Sequence, residues 1–333
     1  MHNYSTGGGR RRKHRSTFDK ILIGIATVIV ISVVLGLSNF GKYFWMADLF
    51  SNFTVQYFIL TAILSVLLLG RGQRTAGVVT LFVCILQISK LVPMWFEDNS
   101  INEQQKYEEV SIMQYNVFKF NWFKEDAMDW IVEESENADI IVLHEVTFDW
   151  LPVLEALKEK FKYHKIEPRT DSWGVAVFSK LPYSKFEMKE TKSGAPVAIV
   201  YANTKNNHKP FSVYAVHTDP PILPKYWKNR NETLSQVTEL IREDPSPRIV
   251  LTGDLNVTRY SYYFEKLMTD SGLKDSYEGW GIMGTWPSIL PNFLRIAIDH
   301  TLVSPEIGIA DKRLGKSHGS DHIPVITIIQ IPV

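Results

Sequence analysis

A single cysteine, Cys84, occurs in 333 residues, and it lies inside an apolar run. No intramolecular disulfide can form, and no Cys/His cluster is available for a structural zinc. Acidic side chains are almost missing from the first 96 residues, which hold only Asp19 and Asp48 against ten Lys/Arg. The remainder holds 34 acids and 26 bases, so the formal net charge of zero hides a part near +8 and a part near −8. The acidic part lacks the Lys/Arg excess on which general nucleic-acid affinity rests. A local basic groove around Lys225, Lys228 and Arg230 stays open against that discount. No internal repeat is present, and no low-complexity segment beyond the first fifteen residues.

The early part has long apolar runs instead. Residues 21–37 read ILIGIATVIVISVVLGL without a charge, a second run covers 50–70, and a third covers 75–95. Each is close to the ~20 residues that cross a bilayer core as a helix. Tyr43, Phe44, Trp45, Met94 and Trp95 flank the runs as interfacial aromatics do, and Lys90 can reach the interface from the end of the third. Orientation follows the Lys/Arg bias of short loops. Arg10, Arg11, Arg12, Lys13, Arg15, Lys20, Arg71 and Arg74 fall on one side, and only Lys42 and Lys90 on the other. The expectation is a basic cytoplasmic tail (1–17) and a three-helix membrane anchor (18–96). Three crossings then leave the rest of the chain outside the cytoplasm, at a multi-pass cell (inner) membrane.

Residues 97–109 (EDNSINEQQKYEE) read as a polar spacer. After them the pattern turns to short β-rich runs, with strands expected at 110–115, 140–143, 174–179, 197–201, 211–216, 249–252, 300–303 and 325–329. Helices are expected at 127–136, 151–161, 231–242 and 261–269. Residues 110–333 therefore suggest an α/β domain of two stacked sheets covered by helices.

Polar residues gather just after the apolar strands: Asn116, Glu145, His217, Asp254 with Asn256 in GDLN, Asp299, and Asp321 with His322 in GSDH. A strand-end Asp is commonly a turn residue and a lone His is commonly structural, but six such placements in one domain point to a site. Hard cations such as Mg²⁺ take oxygen ligands and keep several waters, so Glu145 and Asp321 suit that task. His322 is placed to take a proton from water, with Asp299 fixing its ring. His217, Asn116 and Asn256 can donate hydrogen bonds to phosphoryl oxygens.

At these residues the chain resembles the endonuclease/exonuclease/phosphatase (DNase I-like) superfamily. The order QYN, HE, VH, GDLN, DH, GSDH follows that family's motif order over nearly all of 110–331, and GDLN with SDH, about 65 residues apart, is the most specific pair. Stretches such as WGVAVFSK, TWP, LRIAIDHTLVS and GSDHIPV are similar to bacterial membrane-anchored members. The resemblance implies a four-layer α-β-β-α sandwich, a Mg²⁺-type (or Mn²⁺) metal, and one-step hydrolysis of a phosphoester by activated water. Carried over, it puts Asn116 and Glu145 at the metal or its water shell and Asp321 on the metal. It puts His217 and Asn256 on the phosphate, Asp254 on the nucleophile, and Asp299 against His322. Two departures stand out: His144 where Gln commonly precedes the metal Glu, and Arg230 six residues from Gln236 where a spacing of three is common. Asp219, in HTDPP, reads as a turn residue first and a site residue second.

Three functions fit these residues. One is a phosphodiesterase or phosphatase on a lipid headgroup or small extracytoplasmic phosphoester, favoured by the tether and by Trp280, Trp286, Ile289, Leu290 and Phe293 in a late loop. The second is a nuclease on DNA or RNA. The third is a catalytically silent binding module, disfavoured because every assigned position keeps a competent residue.

Overall fold

The computed structural model describes residues 16–37, 39–96 and 105–333. Almost all of the basic tail and the spacer residues 97–104 lie outside them. The first apolar run forms α1 (Thr17–Leu37). The second lies mostly in α3 (Thr54–Gly70), which the shorter α2 (Trp45–Ser51) meets at a bend of 72°. The third forms α4 (Arg74–Leu91), followed by the short α5 (Pro93–Phe96). Thus α1 and α4 are long and apolar enough to cross a membrane, and α2 with α3 makes a broken third candidate. Large apolar side chains point outward along all three long helices, among them Val28 at 65% exposure, Val66 at 70% and Phe82 at 60%. In water such surfaces would be a heavy cost; against hydrocarbon they are not. Asp19 pairs with Arg71 at 2.5 Å, which places the start of α1 and the α3–α4 loop at the same end of the bundle.

Chain enters the globular part at β1 (Tyr107–Asn116), so the polar spacer ends three residues before the sequence pattern suggests. Then come α6 (Lys124–Glu134), β2 (Ile140–His144), α7 (Leu151–Lys158), β3 (Tyr163–Glu167), β4 (Val175–Ser179), β5 (Tyr183–Glu190), β6 (Pro196–Asn203) and β7 (Pro210–Val216). After α8 (Pro224–Glu243) follow β8 (Ile249–Asp254), α9 (Tyr262–Ser271), β9 (Lys274–Asp275), β10 (Asp299–Val303), β11 (Gly308–Leu314) and β12 (Val325–Pro332). Two six-stranded sheets result, ordered β11-β12-β1-β2-β4-β3 and β5-β6-β7-β8-β10-β9. Each contains one parallel pair, β1/β2 or β7/β8, joined through a helix as parallel strands require.

The central strands are continuous apolar runs because both of their faces are covered. Val110, Ile112, Ile140, Val142, Val200, Val213, Val250 and Ile329 fill the space between the sheets. Met113, Tyr115, Ile141 and Phe178 face α6 and α7, while Tyr214, Leu251 and Leu302 face α8 and α9. Each such side chain contributes roughly 1.5–3 kcal/mol on burial. The layer order α-β-β-α follows from this alternation. Helix ends obey local chemistry: Ser261 caps α9 by accepting from the Tyr263 amide at 3.1 Å, and Gly272 closes it at φ 72°. Pro224 opens α8 where its missing N–H costs nothing.

Candidate active site

The two parallel pairs bring four chain ends to one edge of the sandwich. Asn116 ends β1, Glu145 follows β2, His217 follows β7 and Asp254 ends β8. Since β10 runs antiparallel to β8 with Asp299 opposite Asp254, and β12 runs antiparallel to β1, Asp299 and the GSDH loop reach the same edge. Topology alone therefore gathers the sequence-expected residues.

Asp254 is the meeting point. Its Oδ2 accepts from Asn116 Nδ2 at 3.0 Å and lies 3.6 Å from His217 Nε2 and 3.5 Å from His322 Nε2. His322 holds Asp299 through Nδ1 at 2.9 Å, and Gln114 Nε2 donates to the other Asp299 oxygen at 3.0 Å. Burial alone would lower the His322 pKa, but Asp299 and Asp254 outweigh it and raise it well above the ordinary imidazole range. Burial raises the Asp254 carboxyl, partly offset by His322. Asp299 is also driven upward by burial, yet the charge and hydrogen bond of His322 bring it below the ordinary carboxylate range.

Glu145 accepts from Asn116 Nδ2 at 3.3 Å and from the Lys119 amide at 3.0 Å, and stands 4.0 Å from His217 Nε2. His217 Nδ1 is tied to the Ser172 carbonyl at 3.0 Å, which turns Nε2 toward the cleft. Asp321 receives the Trp286 indole N–H on Oδ2 at 3.1 Å, while its Oδ1 is buried without a hydrogen-bond partner. Asn256 donates one amide hydrogen to the Thr218 carbonyl at 2.8 Å, leaving the second for a ligand. Glu145 (φ 63°) and Asn256 (φ 48°) both occupy the left-handed region, where strain concentrates at functional positions. Gly253 at φ 148° passes so close to β7 that a Cβ would collide with the Val216 carbonyl.

Glu145, His217, Asp254, Asn256, Asp321 and His322 share one cleft of about 600 Å³. Three residues left open by the sequence now have positions. His144 is buried behind His217, with ring centroids 5.7 Å apart, and burial pushes its pKa down to about 3; it does not line the cleft. Asp219 does line it, with a carboxyl raised by burial. Arg230 is fully buried on Asp48 of α2 and grips the Asn256 carbonyl at 3.2 Å, so it is no part of a basic groove. Of the late loop, Trp286 enters the cleft, Trp280 packs on the core, and Ile289 is 88% exposed.

Sequence reasoning missed Gln114 and Trp286 as supports, although both lie in motifs that carried the resemblance. It also missed Leu49, Asn52 and Phe53, which reach the cleft from the α2–α3 bend.

The family model for the endonuclease/exonuclease/phosphatase family matches residues 113–322, and the chain belongs to that family. Its members are hydrolases acting on phosphoester bonds, and this chain is a hydrolase of that class. The fold resembles an endonuclease/exonuclease/phosphatase family protein from Bacteroides thetaiotaomicron (TM-score 0.54, 20% identity, 68% of this chain and 100% of that one). It also resembles a mannosyl-6-phosphatase from the same organism (0.51, 21%, 66% and 99%) and truncated TDP2 of Caenorhabditis elegans (0.52, 18%, 68% and 99%). No curated protein matches the chain.

Proposed function

We propose that this chain is a membrane-anchored phosphoesterase that hydrolyses a phosphodiester or phosphomonoester outside the cytoplasm with a water activated at Asp254. The observation that carries the reading is the convergence of Asn116, His217 and His322 on one Asp254 oxygen. A histidine with carboxylates on both ring nitrogens, at 2.9 and 3.5 Å, is built to hold a positive charge. His322 therefore serves as the cation that meets the phosphate, and the base shifts to Asp254. Asp254 takes the water proton as the water oxygen bonds to phosphorus, the P–O bond to the ester oxygen breaks, and the departing alkoxide takes a proton from solvent water. His217 Nε2 and the free amide hydrogen of Asn256 stabilise the phosphoryl oxygens, while Asn116, whose two amide hydrogens go to Asp254 and Glu145, holds those carboxylates in place.

The donor chemistry fits a hard divalent cation. Glu145 and the unpartnered Asp321 Oδ1 offer oxygen, with Asn116 beside Glu145, and two carboxylates plus waters suffice for Mg²⁺ or Mn²⁺. Asp254, Asp299 and His322 also lie close enough to enclose an ion, within 4.8 Å of one another. An ion there would have to break the Asp299–His322 hydrogen bond, so Glu145 and Asp321 are the better assignment. When bound, the cation would polarise the phosphoryl group and offset its charge.

A nuclease is disfavoured by the cleft itself. Among the described lining residues Lys119 is the one Lys/Arg, joined by His217 and His322, against the five carboxylates of Glu145, Asp171, Asp219, Asp254 and Asp321. Anchoring rests on the outward apolar faces of α1, α3 and α4, and orientation on the eight-to-two Lys/Arg bias. The test is a hydrolysis panel of the full chain in detergent: mono- and diesters, phospholipids, DNA and RNA, each with Mg²⁺, Mn²⁺ or EDTA. Metal-dependent turnover of a non-nucleic-acid ester is expected; preference for DNA or RNA overturns the substrate reading, and turnover in EDTA overturns the metal.

A further inference from the structure

The bend between α2 and α3 belongs to the catalytic cleft as much as to the anchor. Asn52 Oδ1 accepts from the Thr258 amide at 2.8 Å and its hydroxyl at 3.0 Å, two residues after Asn256. Gln56 Nε2 donates to the Arg295 carbonyl at 2.8 Å. One turn earlier, Asp48 is fully buried and accepts from Trp227 Nε1 at 3.1 Å, from Arg230 and from Ser261. These bonds fix Leu49 and Phe53, both half-buried, as part of the wall of the cleft that also holds Asp254.

The cleft has a mixed lining: Glu145, His217, Asp254 and His322 are polar, and Leu49, Phe53, Ile222 and Tyr226 add apolar and aromatic surface, with Trp286 tied to Asp321 through its indole N–H. Its volume of about 600 Å³ falls in the range that encloses most of a drug-sized ligand, far more than a phosphoryl group alone. Ile222 is 60% exposed, and α3 begins one residue after Phe53 and carries the outward-facing Ile63 and Val66.

We propose that Leu49 and Phe53 form a specificity wall for the hydrocarbon part of an amphiphilic phosphoester taken from the bilayer that α3 enters, while its phosphate rests at Asp254, His217 and His322. The inference rests on the phosphoesterase reading above and adds the substrate class. A soluble polyanion gains nothing from an apolar wall, whereas a tailed ester exchanges one apolar surrounding for another and keeps its phosphate among the polar lining residues.

The test uses the full chain in nonionic micelles with Mg²⁺ and two chromogenic diesters, butyl and dodecyl p-nitrophenyl phosphate. The dodecyl ester should be preferred at least tenfold in kcat/KM. Leu49→Ala with Phe53→Ala should cut that preference severalfold, mainly through KM, and Phe53→Ser alone should cut it in the same direction. Leu60→Ala, on the outward face of α3, should keep it. Because both esters are measured on one folded sample, partial misfolding and general partitioning into micelles cancel from the comparison with wild type. Equal kcat/KM for the two wild-type substrates, or an unchanged preference in both wall variants, overturns the proposal while leaving the phosphoesterase reading intact. Turnover of neither ester counts against that reading itself, and the specificity wall falls with it.

Discussion

Replacing Asp48 by Ala should destabilise the catalytic domain even though the residue belongs to α2 of the N-terminal helices. Its carboxylate is fully buried and joins α2 to Trp227 and Arg230 of α8 and to the cap of α9. Removing one partner of a buried ion pair costs roughly 3–5 kcal/mol, because the other charge is left behind. Arg230 would retain Asn231 Oδ1, at 2.9 and 2.6 Å, and the Asn256 carbonyl at 3.2 Å. Those bonds place the expected loss near the lower end, about 3 kcal/mol. At roughly 2–4 °C per kcal/mol for a domain of this size, Tm should fall by about 6–12 °C. The assay is thermal unfolding of the detergent-solubilised chain followed by near-UV circular dichroism. Asp48→Leu with Arg230→Met should recover most of the loss, since swapping both charges for apolar groups is close to neutral. A shift under about 0.5 kcal/mol for Asp48→Ala, the range of an ordinary surface change, would refute the buried-mount argument. So would a double variant as damaged as the sum of its singles.

Three further outcomes are open to measurement. Lys312 is buried between the sheets, with Nζ donating to Ser276 and Thr327, over the Tyr277 ring at 4.2 Å, with Asp275 and His300 near. Burial pushes its pKa down to about 7, so between there and an unfolded value near ~10.4 the unfolded chain binds more protons. Stability should rise with pH through that window by a few kcal/mol, and Lys312→Met should flatten the rise; an equally steep rise in the variant contradicts the assignment. Gly253→Ala should cost at least ~2 kcal/mol and depress activity by displacing Asp254, with Tm and kcat as readouts and wild-type values as the contrary result. A reporter fused after Val333 should behave as extracytoplasmic, and strong cytoplasmic reporter activity there would reverse the topology.

How much of this was legible in the sequence depended on burial. Strands covered on both faces, such as IIVLH in β2 and VAVFS in β4, announce themselves as apolar runs. The strands β3 (YHKIE), β5 (YSKFEMKE) and β11 (GIADKRL) escaped notice because they are sheet edges, or next to them, and carry charge toward solvent. A blunted edge looks like a loop to a hydropathy reading. That the candidate residues share one edge was legible for a geometric reason: Asn116, Glu145, His217 and Asp254 end or follow the two parallel pairs, and the antiparallel β10 and β12 start beside them. What no local pattern discloses is a partner 182 residues away, as with Asp48 and Arg230. The one available hint was an acid in a segment that has only two. Hydropathy located the second apolar run, most of which is α3, but not the break at Asn52 and Phe53 near its start.

The central claim, direct attack on phosphorus by a water activated at Asp254, is tested by hydrolysis in ¹⁸O-water with Mg²⁺, wild type beside Asp254→Asn. One ¹⁸O should appear in the phosphate product and none in the released alcohol. The variant should lose about 10²–10⁴-fold in kcat, the range for a lost general base, with KM little changed. Label in the alcohol, or a variant that turns over at the wild-type rate, would contradict the account.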